Sequence, residues 1–403
     1  MTRKQFHTTV HFYLAMIIAF ALPIARYVPI CIALMLLNWL IEGDFKNKFQ
    51  TIAKNKFALL FISFYVLHLL GLLSTQNMKS GLFDIQVKFS LLLFPILLAS
   101  RPMDNVKTRK LFFALIVGCI TAFIIMLIRA ITTYVTTGEA NFFYEVFASF
   151  LIHPSYISMY VNIVLAWLLV NQLDQSKRFS FLIACSLIVI FSLFIILLSS
   201  KMGLITMILV YVGFLIYYVF SRKKYLFGII GVVLIAASLF GVMRFVPALS
   251  WRINNAIAAV TTLNTNESQV ESTAVRMLIW KASNQVISEN ILTGTGTGDA
   301  KDELMKEYEK RGMTGAFEHK LNAHNEFYQV FVSLGLIGFV LLLSNLLVPL
   351  FYAFKLPDII YVLFLLIISF NFLTESMLET EAGVMFYAFF NSLLCFNNKN
   401  NNF

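Results

Sequence analysis

Apolar residues run through this chain in long unbroken stretches, not in the alternation of a half-buried strand. Twelve such stretches stand out, at roughly 9–24, 28–42, 57–74, 81–100, 110–134, 155–173, 179–199, 202–220, 225–248, 325–348, 358–374 and 382–397. A helix of about 20 apolar residues crosses the ~30 Å of hydrocarbon in a bilayer. Backbone in lipid has to satisfy its own hydrogen bonds, so helices are the economical solution. The pattern predicts an all-α polytopic membrane protein with about twelve transmembrane helices. The first stretch follows "MTRKQFH" without a small-residue cleavage site, and a second span comes at once. It reads as an uncleaved anchor, not a signal peptide.

The polar turns give the orientation. Every second turn is basic: Arg3 and Lys4; Lys46, Lys48, Lys54 and Lys56; Arg101, Lys107, Arg109 and Lys110; Lys177 and Arg178; Arg222, Lys223 and Lys224; Lys355; Lys399. The alternate short turns hold only Arg26, Lys79 and Lys201. By the positive-inside rule both termini are cytoplasmic. One polar stretch, 249–323, is far longer than a connector and falls on the outer side, where a loop of that size carries function. Three regions follow: spans 1–9 over 1–248, a large helical outer loop over 249–323, and spans 10–12 with a cytoplasmic tail over 324–403.

Composition agrees. The chain of 403 residues is 59% hydrophobic and 13% charged, against about 25% charged in a soluble domain. Its net charge of +10 is scattered over turns and gathered on no single face, so no nucleic-acid partner is implied. Cys31, Cys119, Cys185 and Cys395 all lie inside apolar stretches without CxxC spacing, which argues against disulfides and a zinc site.

Within the long loop, "ESTAVRMLIWKASNQVISEN" predicts a helix with Ser272 or Thr273 as N-cap and with Arg276 and Trp280 one turn apart. "KDELMKEYEKRG" reads as a charged, solvated helix. "TGTGTGD" has the glycines of a phosphate loop but no following Lys-Ser/Thr and no clear preceding strand, so a tight turn is the better reading. His324, Asn325 and Glu326 head the tenth span. A lone histidine at a membrane boundary is more often an amphipathic anchor than a catalyst, yet imidazole titrates near neutrality and suits proton transfer. Arg276 offers a planar fork that fits phosphate oxygens. Together they point to a hydroxyl activated beside an anionic leaving group. His319 stands five residues before His324, which is not HExxH spacing, and no metal site is expected.

Ionisable groups inside spans are costly. Lys88 lies where it can pair with Asp84 one turn earlier or help neutralise a diphosphate. Arg129 and Lys201 suit either snorkelling to the interface or substrate binding. "LIHPSYISMY" places His153 and Tyr156 at the start of the sixth span, where Pro154 also makes a natural helix start. Glu375, Glu379 and Glu381 form an acidic turn that either pairs with arginines, tunes His324, or simply faces solvent.

"HNEFYQVFVSLGLIG", from His324 and Asn325 to Gly335 and Gly338, resembles the signature of the O-antigen ligase and polymerase superfamily, and "RMLIWKASNQVISENILTGTGTGD" resembles its periplasmic stretch. The chain departs from the pattern at Trp280, where ligases often carry leucine, and at Ser200-Lys201, where an Ser-Arg pair is usual. The resemblance, closest to O-antigen ligase, implies a metal-independent, inverting glycosyltransferase in the bacterial inner membrane with its site facing the periplasm. The donor would be a glycan on undecaprenyl diphosphate and the acceptor a sugar hydroxyl of lipid A-core. No cofactor is implied. His324 would act as general base on the acceptor hydroxyl or orient it, and Arg276, Lys201 and Lys88 would hold the diphosphate. Arg129, Asn325, Trp280, His153 and Tyr156 would line the substrate site. Gly335 and Gly338 would let a neighbouring helix pack closely and fix the histidine. An O-antigen polymerase is the nearest alternative. Transfer to protein, or transport of lipid-linked sugar, stands further off.

Overall fold

The computed structural model describes residues 2–24, 26–173, 180–245 and 273–397, with Ser250, Trp251, Asn254, Ile257 and Ala258. The expectations at Lys177, Arg178, Ser272 and Lys399 lie outside these residues.

Each of the twelve apolar stretches coincides with a helix, or with two in series. The order is α1 (Arg3–Ala21), α2 (Val28–Glu42), α3 (Phe45–Lys54), α4 (Lys56–Gly71), α5 (Met78–Lys88), α6 (Ser90–Ser100), α7 (Asn105–Thr137), α8 (Tyr144–Ala148), α9 (Pro154–Asn171), α10 (Phe181–Leu198), α11 (Lys201–Arg222) and α12 (Tyr225–Phe245). Beyond the long loop come α13 (Thr273–Glu289), α14 (Ala300–Lys310), α15 (Thr314–Glu318), α16 (Glu326–Lys355), α17 (Ile359–Phe372) and α18 (Glu381–Asn397). Among the described residues eight spans are long and apolar enough to cross a membrane, or nine if α2 and α3, bent by 116°, count as one broken span. Tyr225–Ser238 and Ile359–Phe372 are apolar but shorter.

Local chemistry sets the helix ends. Asp104 caps α7 by accepting from the Lys107 amide, and α7 ends at Gly138, whose φ of 75° suits a left-handed cap. Pro154 opens α9, and the His153 side chain accepts from the Ser155 amide. Nearly every residue of α9 is buried, because it packs against α7, α10, α11 and α17 at once. It is the central post of the bundle.

The helices of the long loop form a small second core, where Val275, Ile279 and Ala282 of α13 meet Leu304 and Tyr308 of α14 and Val332 of α16. The connection between α13 and α14 is the glycine-rich turn, and it does more than reverse the chain. Helix α16 is broken at Gly335, which has φ 64° and ψ −159°. A break in a span leaves carbonyls without their usual amide partners, a cost of several kcal/mol each in hydrocarbon. The turn supplies the partners: the Thr295 amide donates to the Val332 carbonyl and the Gly296 amide to the Ser333 carbonyl, both at 2.9 Å, while the Leu336 amide donates to the Ile291 carbonyl at 2.7 Å.

The expected role of the two glycines is corrected here. A Cβ on Gly335 would lie 2.4 Å from the Leu292 carbonyl oxygen and 2.5 Å from the Gly294 nitrogen, so the close neighbour is the turn and not another helix. A Cβ on Gly338 would meet side chains of its own helix, Leu334 and Val330.

The other side of the turn grips α4 and α5. Thr297 Oγ1 donates to the His68 carbonyl at 2.7 Å, and the Gly298 amide to Thr75 Oγ1 at 3.1 Å. The Asp299 carboxylate accepts from the Gln76 and Asn77 amides, each at 2.7 Å.

Candidate active site

The loop segment reaches the bundle at the start of α16. Asn325 is its N-cap: Oδ1 accepts from the Phe327 and Tyr328 amides at 2.9 and 3.2 Å. The same side chain donates through Nδ2 to the Leu373 carbonyl at 2.9 Å, and the Asn325 amide donates to Ser376 Oγ at 3.3 Å. One residue therefore starts the helix and docks it on the turn between α17 and α18. Its part is to build the site.

His324 precedes it with φ 45°, a left-handed conformation that few non-glycine residues adopt. Several bonds hold it there. Its amide donates to Asn322 Oδ1 at 3.0 Å, and the Ala323 amide donates to Gln329 Oε1 at 3.1 Å. The Trp280 indole N–H donates to the Ala323 carbonyl at 3.1 Å, with its ring stacked on Tyr328 at 6.0 Å between centroids. Trp280 thus fixes the backbone beside the histidine.

The imidazole Nδ1 of His324 lies 3.2 Å from Oε2 of Glu375. The other oxygen of Glu375 accepts from Nη2 of Arg276 in an ion pair. Burial pushes the Glu375 carboxyl up, but the hydrogen bond with His324 and the charge of Arg276 outweigh it and hold the carboxyl below its usual range. An ionised carboxylate only accepts, so Nδ1 of His324 is the donor of this pair, the tautomer in which Nε2 carries the lone pair. His153 also sits near enough to favour the ionised Glu375. Its ring meets Tyr156 and Tyr144 edge-on, at 6.2 and 6.3 Å. Tyr156 is nearly buried, with its ring against Gly383.

Lys201 begins α11, and its Nζ donates to Thr273 Oγ1 at 3.2 Å. Thr273 and Arg276 lie three residues apart on α13, on one face. Lys201 and Arg276 thus approach the same region from different helices. Arg129 lies over the Phe150 ring instead, 4.0 Å from its centroid.

Lys88 departs from the expectation of a diphosphate ligand. It is 1% exposed and bonded to Asp84 Oδ1 and, at 2.7 Å, to Glu379 Oε1. Asp84 Oδ2 in turn lies 3.5 Å from His68 Nδ1. An ammonium buried between two carboxylates cannot reach a ligand without breaking both pairs. Burial raises the Glu379 carboxyl, against the pull of Lys88. His68, which reads as part of an apolar span, escaped sequence reasoning, and Glu326, named there without a role, is fully buried with Oε2 accepting from the Leu378 amide at 2.7 Å. Among the described residues no group of three or more His, Cys, Asp and Glu side chains converges to hold a metal ion.

A histidine oriented by a carboxylate, with a guanidinium on the same carboxylate, can take a proton beside an anion. Residues 185–343 match the O-antigen ligase family model. No curated protein sequence matches the chain. The match covers less than half of the chain and supports a likeness to the O-antigen ligase superfamily. Its span takes in Lys201, Arg276, Trp280, the glycine-rich turn, His324, Asn325 and both glycines of α16. Lys88, Arg129, His153, Tyr156, Glu375 and Glu379 fall outside the O-antigen ligase match.

Proposed function

We propose that the protein is an O-antigen ligase that transfers a glycan from undecaprenyl diphosphate to a sugar hydroxyl of lipid A-core at the periplasmic face of the bacterial inner membrane. The observation that carries this reading is Glu375, which joins the base candidate His324 to the phosphate-binding candidate Arg276.

Nε2 of His324 takes the proton of the acceptor hydroxyl as its oxygen attacks the anomeric carbon. A new C–O bond forms, the bond from that carbon to the diphosphate oxygen breaks, and the configuration inverts. The electron pair leaves with the diphosphate. Arg276, exchanging part of its pairing with Glu375, and Lys201 offset the charge that develops there, the term that usually counts most in such a step. Glu375 orients the imidazole and stabilises it once protonated, and general-base action of this kind contributes about 10²- to 10⁴-fold. In this reading the donor enters from lipid and meets the acceptor from the aqueous side at the polar start of α16.

A strain lacking the gene tests the reading, complemented by the parental or the His324→Ala form. Polymer stranded on the lipid carrier with bare core, restored only by the parental form, is the expected gel pattern of lipopolysaccharide and lipid-linked glycan. Core capped with a single repeat unit would indicate a polymerase instead.

A further inference from the structure

The turn Leu373–Thr380 delivers Glu375 to His324, yet it is an eight-residue link between α17 and α18 with one short 3-10 turn at Met377–Glu379. Such a segment keeps one conformation only where other elements hold it. Its first half is held by Asn325, through the Leu373 carbonyl and Ser376 hydroxyl. Its second half is held from beneath by two buried ionisable residues. Glu326 Oε2 accepts from the Leu378 amide at 2.7 Å, and Lys88 Nζ donates to Glu379 Oε1 at 2.7 Å. Neither residue has a route to substrate: Lys88 is 1% exposed and Glu326 0%.

Burying such groups costs several kcal/mol each and leaves a strong penalty if a partner is lost. A turn that mattered only as a connector would not require it. The cluster also reaches the glycine-rich turn, because Asp84 pairs Lys88 with His68, whose carbonyl accepts from Thr297. We infer that Glu326 and Lys88 are positioning residues, which clamp the 373–380 turn from within the bundle so that Glu375 is held against Nδ1 of His324. The inference rests on the proposed base role of His324 for its kinetic consequence, but not for the clamp itself.

Glu326 allows a clean test, because glutamine keeps an oxygen that accepts from the Leu378 amide and methionine does not. The full-length protein in nanodiscs would be compared as parent, Glu326→Gln, Glu326→Met and Lys88→Met. Amide hydrogen exchange of peptides covering 373–380 reads the clamp. Transfer from undecaprenyl-diphosphate-linked glycan to lipid A-core reads its consequence. Expected in Glu326→Met is exchange at 373–380 about 10-fold faster and kcat lower by about 10-fold or more, with KM for both substrates within about twofold. Glu326→Gln should match the parent in both readouts. Lys88→Met, if it folds, should speed exchange in the same peptides.

Parental exchange in Glu326→Met would overturn the clamp, as would Glu326→Gln failing as badly as Glu326→Met, since charge rather than the hydrogen bond would then matter. Faster exchange with unchanged kcat would overturn the positioning role. Faster exchange together with a fully active His324→Ala variant would instead leave the clamp standing and sink the base reading.

Discussion

His324 and Glu375 stand 51 residues apart in the chain and 3.2 Å apart in space, with Nδ1 of the imidazole facing one carboxylate oxygen. The second oxygen is taken by Arg276. The carboxylate is therefore shared between the group proposed to gain a proton and the group proposed to face the leaving diphosphate.

Replacing His324 by alanine removes the proton acceptor and nothing that caps α16, since Asn325 does that. Transfer by purified His324→Ala should fall by about 10² or more, with protein level and donor binding unchanged. Glu375→Gln should lose less, about 10-fold, because it keeps an oxygen toward Nδ1 but loses the charge that stabilises the protonated ring. A purified His324→Ala variant that transfers glycan at the parental rate would falsify the base role.

Arg276→Lys keeps one positive charge but loses the fork that spans a carboxylate and a diphosphate. Its kcat/KM for the lipid-linked donor should drop about 10-fold, with KM for the acceptor nearly unchanged. Kinetics with each substrate varied in turn would decide. An equal effect on both substrates would count against a donor-side position.

Gly335→Ala places a methyl group 2.4 Å from the Leu292 carbonyl at a φ of 64°. Both the collision and the left-handed backbone oppose it, so the variant should lose about 2–4 kcal/mol of stability. Thermal unfolding in detergent would show this as a clearly lower Tm. A parental Tm would mean that the turn is not seated on the break.

The Glu375 carboxyl titrates below its unfolded value, so its ionised form is the one the fold prefers. Its contribution is fully present above the ordinary glutamate range and is lost as pH falls through the lower, folded value. Parent and Glu375→Gln should therefore differ in Tm at pH 7 and converge as the pH is taken well below 4.3, about where a free glutamate titrates. A Tm gap that widens on acidification would contradict the assigned ion pairs.

Hydropathy revealed the helices because lipid imposes one demand on every span, and the stretch 154–171 reads as apolar whether it faces lipid or, like α9, is buried in protein. His324, Arg276 and Lys201 could be singled out as candidates because their chemistry is local to the residue and the motif. The acidic turn was legible only as open alternatives: pairing with arginines, tuning His324 or facing solvent. Glu375 and Glu381 look alike in sequence, yet Glu375 is paired with His324 and Arg276 whereas Glu381 is exposed. Only long-range packing separates them. The pairing of Lys88 with Asp84 was visible as an i,i+4 spacing, but Glu379, 291 residues away, was not. The glycine-rich turn read correctly as a turn, while its partner carbonyls on α16 follow from a break that φ at Gly335 alone reveals.

The grip of that turn on α4 has a consequence in time. Thr297 donates to the carbonyl of His68 across 229 residues. At translation rates of about 5–20 residues per second, α4 waits about 10–50 s after synthesis before this partner exists. The first spans must enter the membrane and stay there with that surface unfinished. The end of the bundle that holds His324 is thus completed late, by segments made well after the first spans.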